Sequence, residues 1–178
     1  MRILEATPRI MEEHLPSILR IYARAHGLGP AAIEQRREIM LRHFRRRGFG
    51  GLLAMNGDTL LGFAYGYTGG PGQYWYDLVH DAMTPDLRRD WLEKEHFEFV
   101  ELAVAEDYRR RRVGERLHDT LLHNRREPVA LLTVGMDNTP ALNLYLKKGW
   151  RVLLEDFRFS PDGLPFYVMG KILYAEPV

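Results

Sequence analysis

The segment Val104–Leu117 combines residue types that suit the binding of a phosphate group. An apolar run ends at Val104, a polar loop follows, and a helix begins close to Gly114. The first amides of a helix have no partner within the helix, and the helix dipole favours negative charge there. The run Arg109–Arg112 adds positive charge around these amides. The segment therefore predicts an anion site, and a pyrophosphate is its natural occupant.

The same segment resembles the signature of the GNAT superfamily, the acetyl-CoA-dependent N-acetyltransferases. That signature is Gln/Arg-x-x-Gly-x-Gly/Ala at the start of a helix that follows a strand. Arg109 takes the first marked position and Gly114 the last, whereas Arg112 replaces the middle glycine. Arg112 still offers a backbone N–H, but its Cβ restricts the close approach that glycine permits. Phosphate affinity is the property that this substitution affects.

A second motif lies downstream, in the segment Asn138–Trp150. It resembles the family pattern Asn-x-x-Ala-x-x-x-Tyr ending in Gly-Phe, with Ala141 and Tyr145 at the marked positions and Trp150 in place of the phenylalanine. The two motifs occur in the family order with one strand between them. The resemblance covers residues 95–171, and the N-terminal half shows the expected order of elements.

The resemblance implies a set of acetyl-CoA contacts. The residues are Leu102, Ala103, Val104, Arg109, Arg110, Arg111, Arg112, Val113, Gly114, Glu115, Asn138, Ala141 and Tyr145. In this family the strand before the phosphate loop splays from its parallel neighbour and pantetheine inserts beside it. The backbone of residues 102–104 would contact pantetheine, the amides of residues 110–115 would hold pyrophosphate, Asn138 would bind the pantetheine arm, and Tyr145 would lie near the thioester sulfur.

Acetyl transfer by direct attack in a ternary complex makes three chemical demands. The amine must be neutral, although a lysine-like amine has a pKa of about 10.4 in water. The developing oxyanion needs a donor, for which a backbone N–H of the splayed strand is suited. The leaving thiolate needs a proton, and the hydroxyl of Tyr145 is suited to be the general acid. The chain has no cysteine, so a thiol intermediate on the enzyme is excluded.

Two glutamates of the central strand are candidates for the general base. Strand alternation places Glu98 and Glu101 on opposite faces. Glu98 matches the position of the catalytic glutamate in some family members and is the preferred candidate. A bulge is common in this strand, however, and one extra residue exchanges the faces, which keeps Glu101 as the alternative. Either carboxylate can act through a water molecule.

Each of these residues also has a purely structural interpretation. Arg109–Arg112 and Arg42–Arg47 are alternatively solvated charge runs, and the second run is interpreted as a solvated helix end. Tyr145 is alternatively a core tyrosine on an apolar helix face. Asn138 is alternatively a helix-entry residue. The aromatic segment Tyr74–Asp77 either lines an acceptor pocket or packs a long loop against the sheet.

Composition narrows the function classes. The 178 residues carry a net charge of +1, which gives no global attraction to nucleic acid or anionic membrane. No run approaches the roughly 20 apolar residues of a membrane-spanning helix, and no signal peptide is evident, so a soluble, cytoplasmic protein is expected. The absence of cysteine fits a reducing compartment. The histidines show no ligand spacing, and no metal is predicted.

The elements that must position these residues follow from periodicity and turn signals. The pattern predicts an α/β fold in one domain, residues 1–178, with a mixed, largely antiparallel sheet, a parallel strand pair and helices on both faces. The resemblance implies that this domain is GNAT-like and that its central parallel strand pair is splayed. Asn-Gly at 56–57 predicts a hairpin. The predicted helices are 11–25, a stretch from Pro30 ended by Gly48, 85–94, 113–124 and 140–148; the predicted strands are 49–55, 59–67, 96–104, 129–134, 150–159 and 166–172.

Three functions are compatible with this pattern to different degrees. The preferred one is transfer of acetyl from acetyl-CoA to a primary amine, in a small molecule or a peptide that the sequence does not identify. The alternative is a non-catalytic GNAT-fold module that senses acyl-CoA or binds a partner. Nucleic-acid binding through the arginine runs is disfavoured, because no helix-turn-helix or aromatic RNA-binding motif is present. A homodimer is the default oligomer.

Overall fold

The computed structural model describes residues 1–123 and 125–174, which form seven strands and seven α-helices. The strands are β1 (Arg2–Ala6), β2 (Gly50–Asn56), β3 (Thr59–Thr68), β4 (His96–Val104), β5 (Val129–Gly135), β6 (Arg151–Phe157) and β7 (Phe166–Ile172). The helices are α1 (Pro8–Glu13), α2 (Leu15–His26), α3 (Pro30–Phe44), α4 (Tyr74–Ala82), α5 (Pro85–Leu87), α6 (Val113–Leu122) and α7 (Thr139–Lys147). A π-helical turn covers Arg88–Leu92 and a 3₁₀ turn covers Glu106–Tyr108.

The strands form one mixed sheet in the order β1-β2-β3-β4-β5-β7-β6. Strand β4 is parallel to β5, whereas the pairs β1–β2, β2–β3, β5–β7 and β6–β7 are antiparallel. The predicted fold class is therefore confirmed. The parallel register joins His96–Glu98 to Val129–Leu131. It covers the beginning of β4, so residues 102–104, which were predicted to contact pantetheine, lie beyond the part of the strand that pairs with β5.

The described residues divide into two compact units. The first contains residues 1–67 and 100–123, and the second contains residues 68–99 and 125–174. In the first unit, helices α1–α3 bury residues such as Met11, Ile18 and Phe44 together with Phe63 of β3. In the second, α4 and the π-helical turn share a core with β5–β7. One domain over residues 1–178 remains a prediction.

The single helix predicted for residues 11–25 is wrong, because the chain forms two helices that meet at His14. Thr7 caps α1 by accepting a hydrogen bond from the backbone N–H of Ile10. Pro16 lies in the first turn of α2, where its missing N–H is no loss. If α1 continued as one helix, Pro16 would lie in its interior and remove a backbone hydrogen bond. The chain therefore ends α1 before His14 and starts α2 after it.

Strand β1 was not predicted. It has five residues, of which Ala6 is buried, and it pairs antiparallel with β2 at the edge of the sheet. An edge strand of five residues shows little alternation between apolar and polar side chains. Its formation therefore depends more on pairing with β2 than on its own sequence.

Most of the remaining helix and strand bounds differ from the predicted ones by a few residues, and two strands agree with them. Strands β4 and β7 have the predicted bounds. The predicted helix 85–94 is α5 followed by the π-helical turn. The last residue of the predicted helix 113–124, Asn124, lies outside the described residues. Within residues 1–123 and 125–174, no helix is both long enough and apolar enough to cross a lipid bilayer.

Candidate active site

The end of β4 lies directly against β3 in the first unit. Ala103 is buried, and Leu102 and Val104 are half-buried. The backbone N–H of Ala105 donates to the carbonyl of Leu61 at 2.8 Å. A Cβ on Gly62 would lie 2.8 Å from the carbonyl oxygen of Ala103. Only a residue without a side chain therefore allows this close approach of the two backbones.

Replacing Gly62 by alanine is expected to destabilise the protein. The new Cβ would meet backbone atoms, the carbonyl oxygen of Ala103 at 2.8 Å and Cα of Val104 at 3.2 Å. Backbone must move to relieve these contacts, and overpacking of this kind lowers the free energy of unfolding by about 1–3 kcal/mol. Urea unfolding measures the change. Gly70→Ala is the control, because no atom lies within 4 Å of the Cβ position there; equal stability of the two variants would contradict this account.

The loop from Arg109 to Arg112 has an unusual backbone. Arg110 and Arg112 both adopt left-handed conformations, each with φ of 59°. Arg112 immediately precedes α6, and no side chain caps the first amides of that helix at this position. Left-handed residues and free amides at a helix start are features that an anion site can use. The anion site itself remains a prediction.

The conformation of Arg112 explains the glycine of the family motif. A left-handed residue is tolerated most readily when it is glycine, and Arg112 occupies that conformation with its side chain exposed. Arg112 therefore adopts the backbone conformation that glycine favours at this position.

The neighbouring arginine side chains are fixed on local groups. Arg109 donates from Nε to the carbonyl of Val104 at 3.3 Å. The guanidinium of Arg111 lies 5.5 Å from the centre of the Tyr108 ring. These contacts hold positive charge beside the loop.

Replacing Arg112 by glycine is expected to increase the free energy of unfolding by up to about 1 kcal/mol. The left-handed conformation destabilises an ordinary residue by about 1–2 kcal/mol, and the greater freedom of glycine in the unfolded chain offsets part of the gain. Urea unfolding again measures the effect. Arg111→Gly is the matched control: Arg111 is not among the residues with positive φ, so this variant should lose stability. A loss for Arg112→Gly of the same size would refute the strain interpretation.

Helix α6 presents Gly114 in its first turn. A Cβ there would make one ordinary contact, 3.6 Å from Cγ2 of Val104. Val113 and Leu117 are buried and anchor the helix on the first unit, while Glu115 is half-buried in the first turn. The start of α6 is thus rigidly placed and has little side-chain bulk.

Asn138 caps α7 in the second unit. Its Oδ1 accepts a hydrogen bond from the backbone N–H of Ala141 at 3.3 Å. The helix begins at Thr139, one residue before the predicted start at Pro140, because the asparagine oxygen reaches the third amide after it. The structural interpretation of Asn138 is thus observed. Asn138 is exposed and Ala141 half-buried, so both remain accessible to a ligand.

Tyr145 lies on the buried side of α7. It is 7% exposed and makes edge-to-face contacts with Phe99 and Trp150, at centroid distances of 6.1 and 5.7 Å. Gly149, with φ of 81°, ends the helix and directs Trp150 back onto Tyr145. The spacing of the second motif therefore builds an aromatic cluster around the tyrosine.

The two candidate bases have different surroundings. Glu98, in the second unit, is buried at 4% exposure. Glu101, in the first unit, keeps 15% of its side chain exposed and lies 3.7 Å from a guanidinium nitrogen of Arg36. Burial raises the pKa of Glu101 to about 7, against the lowering effects of Arg36 and of a hydrogen bond from Tyr22. Glu101 therefore exchanges its proton near neutral pH.

Sequence reasoning missed Tyr22 and Arg36. Tyr22 was assigned to the apolar face of a helix, and it is indeed buried, at 5% exposure. Arg36 lies in an arginine-rich helix that offers no local signal. Tyr22 lies on α2 and Arg36 on α3, whereas Glu101 lies on β4, far from both in the sequence. Only the tertiary structure brings the three side chains together.

The aromatic segment 74–77 packs mainly into the core of the second unit. Trp75 and Tyr76 of α4 pack into the core of the second unit, and exposed Tyr74 stacks on Phe159. Among the described residues no group of three or more His, Asp or Glu side chains could hold a metal ion.

The arginine run 42–47 is only partly solvated, contrary to the prediction. Arg45 and Arg47 are exposed, but Phe44 is fully buried and the guanidinium of Arg46 lies 4.8 Å from the centre of the Tyr67 ring. His43 bonds the Tyr65 hydroxyl at 3.2 Å, and burial together with nearby arginines lowers its pKa to about 3. The end of α3 is therefore an anchor as well as a charged surface.

Comparisons with known proteins agree with the architecture. The chain matches the model of the acetyltransferase (GNAT) family over residues 15–150. It is 29% identical to the GCN5-like protein acetyltransferase Rv2170 of Mycobacterium tuberculosis over 201 residues, which cover 96% of this chain and 97% of that protein.

Two solved structures share the fold. One is a ribosomal-protein-alanine N-acetyltransferase from Brucella melitensis, with a TM-score of 0.65 and 20% identity over 97% of this chain and 99% of that one. The other is yncA from Salmonella typhimurium, solved with its cofactor acetyl-CoA, with a TM-score of 0.63 and 15% identity over 100% of this chain and 96% of that one. At these identities the likeness establishes the fold alone.

Proposed function

The chain belongs to the GNAT family of acetyltransferases, and from that premise we propose that it transfers acetyl from acetyl-CoA to a primary amine by direct attack in a ternary complex. The observation that carries the proposal is the loop Arg109–Arg112, whose left-handed residues and uncapped helix start support an anion site. A cosubstrate with a pyrophosphate fits such a site. When bound, acetyl-CoA supplies the thioester that the amine attacks.

The proposed cofactor contacts use backbone more than side chains. The amides of residues 110–115 bind pyrophosphate, and Arg109 and its neighbours add charge. Backbone groups of Leu102, Ala103 and Val104 bind pantetheine, which the short parallel register of β4 supports. Asn138 uses its Oδ1 for the cap, so its Nδ2 donor is the group that we assign to the pantetheine arm. Ala141, being small, lets the ligand approach α7.

We assign the base role to Glu101 in preference to Glu98. A base must reach the amine, and Glu101 is the more exposed of the two carboxylates. A general base works best when its pKa lies near the working pH, and burial raises the pKa of Glu101 to about 7. Glu101 takes a proton from the ammonium group directly or through a water molecule, which leaves a neutral amine.

Tyr145 is proposed as the general acid. Its ring is held by Phe99 and Trp150, so the direction of its hydroxyl is set by packing. A positioned hydroxyl can donate its proton to the departing thiolate, and no covalent intermediate on the protein is needed. A backbone N–H of β4 stabilises the oxygen that gains negative charge.

The acceptor is assigned by class. Rv2170 is named as a protein acetyltransferase and the Brucella protein as acting on the alanine of a ribosomal protein. These relatives support a peptide or protein amine as the first acceptor to test, with small amines as the second.

Calorimetry and turnover together test this function. Acetyl-CoA is titrated into the protein, and release of free CoA is then followed with a thiol reagent in the presence of peptide and small amines. Binding with amine-dependent thiol release is the expected result. Binding without release for any amine would favour the acyl-CoA-sensing module, and absence of binding would contradict the proposal.

A further inference from the structure

A polar cluster in the first unit surrounds Glu101. It brings together Tyr22 of α2, Arg36 of α3 and Glu101 of β4. The guanidinium carbon of Arg36 lies 4.7 Å from the centre of the Tyr22 ring, and one of its nitrogens lies 3.7 Å from a carboxylate oxygen of Glu101. Arg36 and Tyr22 both lower the pKa of the Glu101 carboxyl, whereas burial raises it. Arg36 and Glu101 retain 29% and 15% exposure of their side chains.

The distance between Arg36 and Glu101 has a clear consequence. At 3.7 Å it is longer than the 2.7–3.2 Å of a good N–H···O hydrogen bond, so the pair is not a tight bidentate bridge. The carboxylate therefore remains able to accept a proton. The positive charge of Arg36 acts on Glu101 electrostatically. The guanidinium lies over the Tyr22 ring, which keeps it beside the carboxylate.

The tyrosines and histidines near the cluster are neutral at physiological pH, whereas Arg42 and Arg46, which act on His43, are charged. Burial raises the pKa of both Tyr22 and Tyr65. Burial lowers the pKa of His43 to about 3 and also lowers that of His26. Among the described groups that act on Glu101, Arg36 is consequently the one that carries a charge.

Resting on the function proposed above, we propose that Arg36 is a positioning residue that keeps Glu101 ionised and directed for proton abstraction from the acceptor amine. Arg36 itself does not touch the reacting atoms. Its positive charge favours the carboxylate over the carboxylic acid and opposes the effect of burial, which favours the acid. The Tyr22 ring packs against the guanidinium of Arg36 and so keeps that charge beside Glu101.

The pH dependence of Arg36→Gln tests this inference. Removing the charge raises the pKa of Glu101, so less carboxylate is present at pH 7. We expect the acid limb of the kcat/KM profile to move up by about one pH unit. Activity should fall roughly fivefold at pH 7 and return toward the wild-type value at pH 9. The affinity for acetyl-CoA should be unchanged in calorimetry, and Arg36→Lys should restore most of the acid limb.

Arg37→Gln is the matched control. Arg37 is adjacent on α3, more exposed at 44%, and paired with Glu34 and Glu38, so its removal should leave the profile unchanged. Thermal unfolding of each variant verifies that it is folded. If Arg36→Gln lost activity by the same factor at every pH, the positioning role would be refuted and a structural one established.

The two proposals fail in different ways. If the wild type binds acetyl-CoA but shows no amine-dependent thiol release, the acetyltransferase proposal fails before Arg36 is tested. If the wild type is active and Arg36→Gln keeps the wild-type profile, only the role of Arg36 fails. In a Glu101→Gln background, Arg36→Gln should cause no further shift of the profile.

Discussion

Replacing Glu101 by glutamine is expected to lower kcat/KM for acetyl transfer by roughly 100- to 1,000-fold, within the range of a lost general base. Glutamine has nearly the same shape but cannot take a proton. Wild-type activity should rise with pH through about 7, where Glu101 loses its proton, and this limb should disappear in the variant. Steady-state kinetics between pH 5.5 and 9, roughly the range in which this group changes charge, measures both effects.

Two controls accompany this prediction. Glu98→Gln changes the other strand glutamate, and we expect it to keep the acid limb. Glu101→Gln should not be less stable than wild type at pH 8. Because the raised pKa favours the protonated form, the folded protein loses stability as the pH rises through about 7, and glutamine removes that loss. A missing limb in Glu98→Gln, with a normal one in Glu101→Gln, would reverse the assignment in favour of the sequence-based preference.

Replacing Gly114 by tryptophan should weaken acetyl-CoA binding by roughly 100-fold or more, which corresponds to about 2.7 kcal/mol. The residue lies in the first turn of α6, directly after the left-handed Arg112. A large side chain there covers the amides that are proposed to hold pyrophosphate. Titration calorimetry with acetyl-CoA measures the affinity.

Gly114→Ala separates obstruction from loss of folding. Its methyl group would make one contact at 3.6 Å with Val104, which is ordinary van der Waals contact. Binding should therefore persist with alanine at this position. If tryptophan left the affinity unchanged in a folded protein, the phosphate site would lie elsewhere.

Much of the fold was predictable because its signals are local. The hairpin at Asn56 and the strand His96–Val104 each follow from a few adjacent residues, and the structure confirms them. The helix predicted to begin at Pro140 begins one residue earlier, at Thr139. The break at His14 was missed because apolar spacing continues across it, although Pro16 was a usable signal. Strand β1 was missed because an edge strand depends on its neighbour.

The candidate site was predictable where a motif exists and not elsewhere. The proposed anion site was inferred from a short segment, although nothing in the sequence indicates that two arginines adopt the left-handed conformation. The environment of Glu101 could not be predicted, because Tyr22 and Arg36 approach it only through tertiary packing. Burial, which sets the pKa of Glu101, is likewise a property of the folded chain.

Mass spectrometry of the acceptor tests the central claim most directly. The protein is incubated with acetyl-CoA that carries an isotope-labelled acetyl group and with peptides that offer either an α-amine or a lysine. The account predicts a labelled amide on one class of amine, formed at a rate that falls in Glu101→Gln and Gly114→Trp. Tight binding of acetyl-CoA without any labelled product, over the whole amine panel, would contradict the account and leave a protein that binds acetyl-CoA without transferring its acetyl group.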